Sequence, residues 1–203
     1  MLIVKNLSKS FSSTCVLKDV SFSINLGKIC AISGSNGCGK TTFLRCISGL
    51  ISYDSGFVEF ESNTNFLFLS DKVNVFGDLT MEENLTVLSR YHNQKINMST
   101  FNNSLEKLNI KELRSLPLKF FSQGNLQRNK LLVAMNLKWD YLFIDEPFSN
   151  LDYHGIKTFK EIFTSFKSDG KSIIFSTHHI DESKSICDKM INIKNSTLIT
   201  DAI

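Results

Sequence analysis

The stretch "GSNGCGKT", residues 34 to 41, decides the fold of this chain. It fits the pattern G-x-x-x-x-G-K-[ST] and lies between an apolar run, "ICAIS", and a helix-like run, "TTFLRCISGL". Glycines allow such a loop to curl until consecutive backbone N–H groups point at phosphate oxygens, and the following helix adds the positive end of its dipole. The spacing therefore predicts a strand, a phosphate-binding loop and a helix, in that order.

The loop carries the residues for a nucleotide triphosphate and its metal. Lys40 would supply a positive charge to the β- and γ-phosphates, and the hydroxyl of Thr41 would ligate Mg²⁺. The alternative, a glycine-rich turn without a ligand, is weak in this context of strand, loop and helix. The predicted cofactors are ATP and Mg²⁺, and the predicted phosphate-binding residues are Gly34, Ser35, Asn36, Gly37, Cys38, Gly39, Lys40, Thr41 and Thr42.

A second acidic site follows another apolar run. "YLFIDEP", residues 141 to 147, reads as a buried strand that ends in two carboxylates. Asp145 is placed to bind Mg²⁺ through water, and Glu146 is placed to polarise an attacking water. Pro147 disfavours helical geometry at Glu146 and so helps to keep the carboxylates at the strand end. A solvated acidic strand end, the alternative, is common for one carboxylate and less so for two.

Composition excludes several classes of protein. The chain has 203 residues, of which 42% are hydrophobic and 21% charged, as in ordinary soluble proteins, and no apolar run approaches the roughly 20 residues of a membrane helix. A formal charge of +3 with dispersed basic residues predicts no nucleic-acid partner. Five cysteines without a CxxC pair suggest neither a zinc site nor a disulfide framework. The short apolar start is not a secretory signal, which predicts a cytoplasmic or matrix-like compartment.

Alternating strand and helix patterns predict an α/β fold with a mainly parallel sheet. Paired runs at the start of the chain predict an N-terminal antiparallel β subdomain, and "INIKNSTLIT" predicts a further antiparallel pair around an Asn-Ser turn. From residue 78 to about 135 the apolar spacing becomes helical, which predicts an inserted α-helical subdomain within one domain of residues 1–203. The predicted helix faces comprise Met81, Leu85 and Leu88, then Phe101, Leu105 and Leu108, and finally Ile156, Phe159, Phe163 and Phe166.

Three further segments complete a family pattern. "FSQGNLQR" (121 to 128) precedes the acidic strand, "SNLD" (149 to 152) follows it, and "STHHIDE" (176 to 182) ends the next predicted strand. With the phosphate loop and the "YLFIDEP" strand, their order over nearly the whole chain resembles the ATP-binding subunit of ABC transporters. The resemblance implies a P-loop NTPase core that works as an ATPase.

The resemblance assigns roles to individual residues. Phe11 matches the aromatic that stacks on adenine, although a strand-end core phenylalanine is an equally good reading of that position. Asp152 matches the residue of a loop that crosses the dimer interface. His178 matches the histidine that senses the γ-phosphate, and His179 takes the place of the usual Asp.

"FSQGN" matches the family's Leu-Ser-Gly-Gly-Gln signature with departures. Ser122 and Gly124 are retained, and with Gln123 they would face the γ-phosphate of ATP held by the other subunit. Gln123 puts a side chain where the family usually has glycine, which predicts a working but weakened site. The family also has a glutamine at or next to the position of Asp71. Asp71 could bind the metal through its own oxygens, but the glutamine that in the family also reports to the membrane subunit is absent from this stretch.

The resemblance implies a subunit that dimerises around two MgATP and powers a transmembrane permease from the cytoplasmic, matrix or stromal face of a membrane. The predicted partners are a second copy of the chain and that permease. Within the family, the small size and "DEPFSNLD" resemble the haem-exporter subunit of cytochrome c maturation. Two alternatives stay open: a soluble ABC ATPase of iron-sulfur cluster assembly, and a degenerate ABC subunit of low activity.

Overall fold

The computed structural model describes residues 1–61, 63–70 and 76–201, with the side chains of residues 200 and 201 left out. The chain forms two compact units. The first comprises Met1–Phe68, Trp139–Pro147 and Phe163–Ile203, and the second comprises Leu69–Lys138 and Phe148–Ile162. In chain order the elements are β1 (Leu2–Phe11), β2 (Thr14–Ile24), β3 (Ile29–Ser33), α1 (Lys40–Ile47), β4 (Ser55–Phe60), β5 (Phe66–Leu69), α2 (Met81–Tyr91), α3 (Met98–Lys107), α4 (Gln123–Asn136), β6 (Tyr141–Ile144), α5 (Tyr153–Ser168), β7 (Ser172–Ser176), α6 (Ile180–Lys184), β8 (Lys189–Lys194) and β9 (Thr197–Asp201).

The N-terminal part of the first unit is a three-stranded antiparallel sheet in the order β2-β1-β4. A tight turn joins β1 to β2, with Ser12 at a φ of 53° and Phe11 paired to Thr14. The apolar residues Leu2, Val4 and Leu7 of β1 are buried. The sequence predicted the β1–β2 pair but missed β4, because "SGFVEF" has little alternation and only two of its six residues are even partly buried.

The second sheet has six strands in the order β5-β6-β7-β3-β8-β9. The pairs β6–β7, β7–β3 and β3–β8 are parallel, and β9 returns antiparallel to β8 through Asn195 and Ser196. Every residue of β3, β6 and β7 is buried, as expected for parallel strands covered on both faces. The carboxyl ends of these three strands therefore lie at one edge of the sheet, where parallel α/β sheets bind ligands.

The second unit is helical. The side chain of Thr80 accepts a hydrogen bond from the backbone of Glu83 and the Glu83 carboxylate bonds back to Thr80, so α2 begins with a capping box. The predicted core positions on α2 and around α3 are all buried: Met81, Leu85, Leu88, Phe101, Leu105 and Leu108. The helical periodicity read from the sequence is confirmed there.

The α/β class, the mainly parallel sheet, the N-terminal antiparallel sheet and the helical insertion are all present. One boundary differs. The family resemblance predicts a helix over "NLQRNKLLVAMNLK", residues 125 to 138, after the signature, and α4 begins two residues earlier, at Gln123, because Ser122 acts as its N-cap. Within the described part of the chain, no helix combines the length and apolar character needed to cross a bilayer.

Candidate functional site

The loop between β3 and α1 has a backbone that requires glycine. Gly34 has a φ of 143°, and a Cβ atom there would lie 2.6 Å from Sγ of Cys38 and 2.7 Å from the carbonyl oxygen of Ile193. Gly39 has a φ of 111° and immediately precedes α1. Any side chain at Gly34 would force the loop away from β8, so the observed curl depends on this residue.

The start of α1 leaves its N–H groups available. In the part of the chain that the structure describes, no side chain caps this helix and its first turn holds no acidic residue. Lys40, at the first position, is only 7% exposed, and its Nζ donates to the carbonyl oxygens of Gly34 (2.9 Å) and Ser35 (3.3 Å). Free N–H groups, a helix dipole and a lysine at one point form the kind of site that binds phosphate.

A cavity of about 370 Å³ lies over this loop and helix start. Its lining contains most of the predicted phosphate-binding residues, together with the predicted base-stacking Phe11 and the predicted general base Glu146. The lining residues are Phe11, Val16, Asn36, Gly37, Gly39, Lys40, Thr41, Thr42 and Glu146. The structure thus places residues from β1, from the phosphate-binding loop, from α1 and from the end of β6 around the same cavity.

The two predicted metal ligands of the first unit are in direct contact. Oγ1 of Thr41 donates to Asp145 at 2.8 Å from Oδ2 and 3.1 Å from Oδ1, across 104 residues of sequence. A hydroxyl and a carboxylate are hard oxygen ligands of the type that Mg²⁺ prefers. No group of three or more His, Cys, Asp or Glu suited to a metal occurs among the described residues. Mg²⁺ binds few protein oxygens and takes its other ligands from phosphates and water, so the hydroxyl of Thr41 and the carboxylate of Asp145 are a donor pair that fits it.

Ser176, at the end of β7, joins the two acidic residues. Its hydroxyl accepts a hydrogen bond from the backbone N–H of Glu146 at 3.0 Å and donates to Oδ1 of Asp145. Ser176 is fully buried. It was not among the predicted site residues, and the only signal for it was its place directly before Thr177 and His178 at the end of an apolar run. One of these bonds orients the Asp145 carboxylate, and the other holds the backbone of Glu146.

Glu146 is held in an unusual position. Its φ of 47° lies in the left-handed region, which a non-glycine residue adopts at a cost of about 1–3 kcal/mol. Oε2 of Glu146 lies 2.8 Å from Nδ1 of His178 and accepts from the His178 backbone N–H at 3.3 Å, while Oε1 lies 3.9 Å from Nζ of Lys40. His179 places its Nδ1 4.0 Å from Glu182 instead. Of the two neighbouring histidines, His178 is therefore the one that contacts Glu146.

The signature segment lies in the second unit. Ser122 and Gln123 are exposed, and Oγ of Ser122 accepts the backbone N–H of Asn125 at 3.3 Å. A Cβ atom at Gly124 would lie 2.7 Å from the carbonyl oxygen of Asn150. Gly124 is thus needed for packing inside the unit, a reason for glycine that the sequence alone did not reveal.

Asp152, also in the second unit, caps α5. Its Oδ1 accepts the backbone N–H of Gly155 at 2.8 Å and lies 3.4 Å from Nη2 of Arg128 on α4. Nη1 of Arg128 donates to the carbonyl oxygen of Leu108 at 2.8 Å. The loop of residues 149–152 is therefore tied to α4 at two points, through Gly124 and through Arg128. The remaining predicted ligand, Asp71, lies outside the described residues.

Comparison with known proteins finds relatives that are described as ABC transporter proteins or as transport ATP-binding proteins. Residues 17–149 match the sequence family described as ABC transporter. An uncharacterized ABC transporter ATP-binding protein of Methanocaldococcus jannaschii is 30% identical over 97% of this chain and 75% of its own length. The lantibiotic transport ATP-binding protein SrtF of Streptococcus pyogenes is 33% identical over 93% of this chain and 84% of its own length. A solved dimeric structure of a bacterial ABC transporter cassette superposes with a TM-score of 0.88 at 20% identity, covering 98% of this chain and 96% of that one.

Proposed function

The chain belongs to the ABC transporter family, as one of its ATP-binding ATPases, and on that premise we propose that two copies close around two molecules of MgATP and thereby drive a membrane-embedded partner. Hydrolysis of the bound ATP then reopens the dimer. The prediction of one ATP-binding domain over residues 1–203, with a helical insertion at about 78–135, is part of this proposal.

The contact between Thr41 and Asp145 carries the proposal. It brings the start of the phosphate-binding helix and the end of the acidic strand together at one cavity, next to Glu146. Phosphoryl transfer requires little covalent chemistry from a protein, and it depends on positioning and on charge stabilisation around the transferred group. The cavity supplies groups for positioning and for charge stabilisation: N–H donors, a lysine, a hydroxyl and the Glu146 carboxylate, with Asp145 bonded to Thr41 of the lining.

Glu146 is the proposed general base. It lines the cavity, and the backbone conformation that places it there is fixed by the hydrogen bond from its N–H to Ser176. In the reaction Glu146 accepts a proton from water as the water attacks the γ-phosphorus, and the bond from that phosphorus to the oxygen of ADP breaks. His178, 2.8 Å from the Glu146 carboxylate, orients that carboxylate and donates to the γ-phosphate oxygens.

Thr41 and Asp145 would hold Mg²⁺, with Asp71 as a further predicted ligand. The ion neutralises charge that develops on the phosphate oxygens. The ammonium group of Lys40 neutralises part of the same negative charge, from the side of the phosphate-binding loop. Its present bonds to the Gly34 and Ser35 carbonyl oxygens show that its side chain reaches back over the loop, where the β- and γ-phosphates would lie.

The second copy of the chain completes each site in this proposal. Ser122, Gln123 and Asp152 are exposed, so the signature segment and the loop of residues 149–152 can meet a partner surface. The start of α4 offers N–H groups and a helix dipole to the γ-phosphate bound by the partner subunit. The dimeric cassette of the same fold supports two copies of the chain as the working unit.

A transmembrane permease is the proposed membrane partner, with this subunit peripheral on the cytoplasmic, matrix or stromal face. The support is the transport function named for the Streptococcus pyogenes relative. The finer resemblance to a haem-exporter subunit stays a prediction. Identification of the polypeptide that copurifies from detergent-solubilised membranes tests this part: a multi-span membrane protein is expected, and a soluble scaffold alone would contradict it.

Dimer formation in the Glu146→Gln protein tests the central claim. The amide keeps the shape of the side chain and cannot act as a base, so turnover should fall by roughly 10²–10⁴ while ATP still binds. Sedimentation velocity should show a monomer without nucleotide and a dimer with saturating MgATP. Lys40→Ala in the same background is the matched control, which should stay monomeric because it lacks the lysine that contacts the phosphates.

A further inference from the structure

We propose that Lys9 is a positioning residue for the nucleobase: its ammonium group covers one face of the Phe11 ring and fixes that ring as the platform on which the base stacks. The inference rests on the proposed function, since it assumes a nucleotide in the cavity over residues 34–41. It adds a residue to that site which neither the phosphate motifs nor the family resemblance assigns.

The position of Lys9 is well defined. Its side chain is only 12% exposed, and its Nζ lies 3.4 Å from Oδ1 of Asp54 and 5.2 Å from the centroid of the Phe11 ring. Asp54 is itself fixed, because its Oδ2 accepts the backbone N–H of Ser10 at 2.6 Å and its own N–H donates to the carbonyl oxygen of Ser8 at 2.8 Å. The Ser10 N–H and the Lys9 ammonium lower the pKa of Asp54, so the carboxylate stays ionised beside Lys9 at neutral pH. Lys9 is therefore anchored over the ring.

Phe11 has the exposure expected of a platform and not of a core residue. It is 50% exposed and lines the same cavity as Lys40 and Thr41. It ends β1 immediately before the tight turn at Ser12, where its partner in the sheet is Thr14. Phe11 thus has Lys9 over its ring and also contributes to the lining of the cavity.

A cation over one face of an aromatic ring has two effects on a base that stacks against the other face. The cation is attracted to the π-electrons of the ring and so holds the ring in one orientation. The ring then loses less conformational entropy when a base stacks on it. The cation also draws electron density through the ring, which reduces repulsion between the ring and the π-face of a purine. Both effects depend on the base and leave the phosphate contacts unchanged.

A simpler role for Lys9 would be to tie β1 to Asp54 by an ion pair, or to add general positive charge near the nucleotide. Neither role distinguishes a nucleotide from its phosphates. Inorganic tripolyphosphate carries the phosphate chain of ATP without a base, so a comparison of MgATP with Mg-tripolyphosphate separates the positioning role from the simpler ones.

The chain offers a matched control on the same strand. Lys5 lies 5.5 Å from the centroid of the Phe57 ring, so Lys5→Met removes the same charge and the same kind of contact from β1. Lys5 and Phe57 do not line the cavity over residues 34–41. Lys9→Met and Lys5→Met are therefore matched in charge, strand and aromatic contact; they differ in their distance from Phe11 and in the ion pair that Lys9 forms with Asp54.

The experiment is calorimetric titration of the wild-type, Lys9→Met and Lys5→Met proteins, at low protein concentration, with MgATP and with Mg-tripolyphosphate. Lys9→Met should raise the dissociation constant of MgATP about three- to fivefold, which corresponds to the lower part of the range of cation–π energies because the Phe11 ring is half exposed. It should change that of Mg-tripolyphosphate less than about twofold. Lys5→Met should change neither, and in a Phe11→Leu background Lys9→Met should have no further effect on MgATP.

The inference is overturned if Lys9→Met weakens the binding of both ligands equally. It is also overturned if Lys9→Met weakens MgATP binding as much in the Phe11→Leu background as in the wild type, since Lys9 would then act by charge or by folding. Unchanged binding of both ligands also overturns it. Tripolyphosphate binding serves as the internal measure of a folded site in each variant. If wild-type protein binds neither ligand, the proposed function itself fails, and that outcome cannot be confused with a failure confined to Lys9.

Discussion

Nδ1 of His178 lies 2.8 Å from Oε2 of Glu146, while Nζ of Lys40 lies 3.9 Å from the other carboxylate oxygen. The proposed base is thus flanked by an imidazole and an ammonium group that come from two other segments of the first unit. The same two groups are the ones assigned to the phosphates. In the proposed function, binding of ATP would therefore draw His178 and Lys40 to the phosphates and release the Glu146 carboxylate for its reaction with water.

Removal of His178 should slow hydrolysis and leave ATP binding nearly intact. Loss of one hydrogen-bond donor at a reacting charge typically lowers turnover about a hundredfold, which we expect for His178→Ala. The matched control is His179→Ala, because His179 faces Glu182 and its removal should change turnover less than about threefold. Steady-state phosphate release and equilibrium ATP binding measure the two quantities. If turnover falls more in His179→Ala than in His178→Ala, His179 and not His178 is the histidine that acts in hydrolysis.

Ser176→Ala should impair hydrolysis more than binding. The change leaves the N–H of Glu146 without its partner and frees Asp145 from its second bond, in a fully buried place. We expect the free energy of unfolding to fall by about 1–3 kcal/mol and turnover to fall at least tenfold, because Asp145 loses a bond that orients its carboxylate and Glu146 loses the bond that holds its backbone. Ser172→Ala is the control: Ser172 is buried at the start of the same strand, where its hydroxyl bonds backbone groups away from the carboxylates. Equal turnover in the two variants would remove Ser176 from the mechanism.

Gln123→Gly should strengthen the ATP-dependent dimer of the Glu146→Gln protein. The side chain of Gln123 is exposed at the first position of α4, where the proposal brings the γ-phosphate of the partner subunit close to the backbone. Ser122→Arg should abolish the dimer because it adds bulk at the same surface. Neither change should alter ATP affinity of the monomer, measured at low protein concentration. An intact dimer in Ser122→Arg would show that "FSQGN" is an ordinary helix start.

Gly124→Ala should destabilise the fold. The added Cβ would lie 2.7 Å from the Asn150 carbonyl oxygen, a contact that requires α4 or the loop of residues 149–152 to move. Overpacking of this kind costs about 1–3 kcal/mol, and chemical denaturation should report it. Gln123→Ala, one position earlier and exposed, should leave stability within about 0.5 kcal/mol. Equal stability of the two variants would show that the close packing at Asn150 is absent in solution.

Burial should protect Cys46 from alkylation. Burial raises the pKa of Cys46 to about 11, above the reference value of 9.0, so the thiol stays neutral in the folded protein at pH 8. In the unfolded chain the thiolate forms two pH units lower, so this group lowers folded stability as the pH rises from about 9 through 11. Iodoacetamide at pH 8 should modify Cys46 at least tenfold more slowly in the folded protein than in urea, measured by peptide mass spectrometry. Equal rates would mean that the thiol is exposed.

Much of the fold followed from local pattern. The strands β3, β6 and β7 were visible as short apolar runs between breakers, and the helices α2 and α3 as apolar residues at helical spacing, because burial selects side chains at the period of each element. β4 was not visible, since an exposed edge strand has little burial to impose a pattern. The start of α4 was placed too late in the sequence, because the serine that caps a helix is also a common loop residue and does not by itself mark a helix start.

The phosphate loop, the acidic strand end and the order of the family segments can be read from the sequence, since each consists of neighbouring residues whose chemistry depends on local spacing. Which of these segments meet depends on the folded chain. The bond from Thr41 to Asp145 spans 104 residues and the bond from Ser176 to Asp145 spans 31, and both exist because β7 lies between β6 and β3 in the sheet. The close approach of Gly124 to Asn150 likewise depends on three-dimensional packing, whereas Lys9 and Phe11 share one face of β1 because they are two residues apart on the same strand. Strand order and close approach arise from the packing of the whole chain, which no single stretch of sequence specifies.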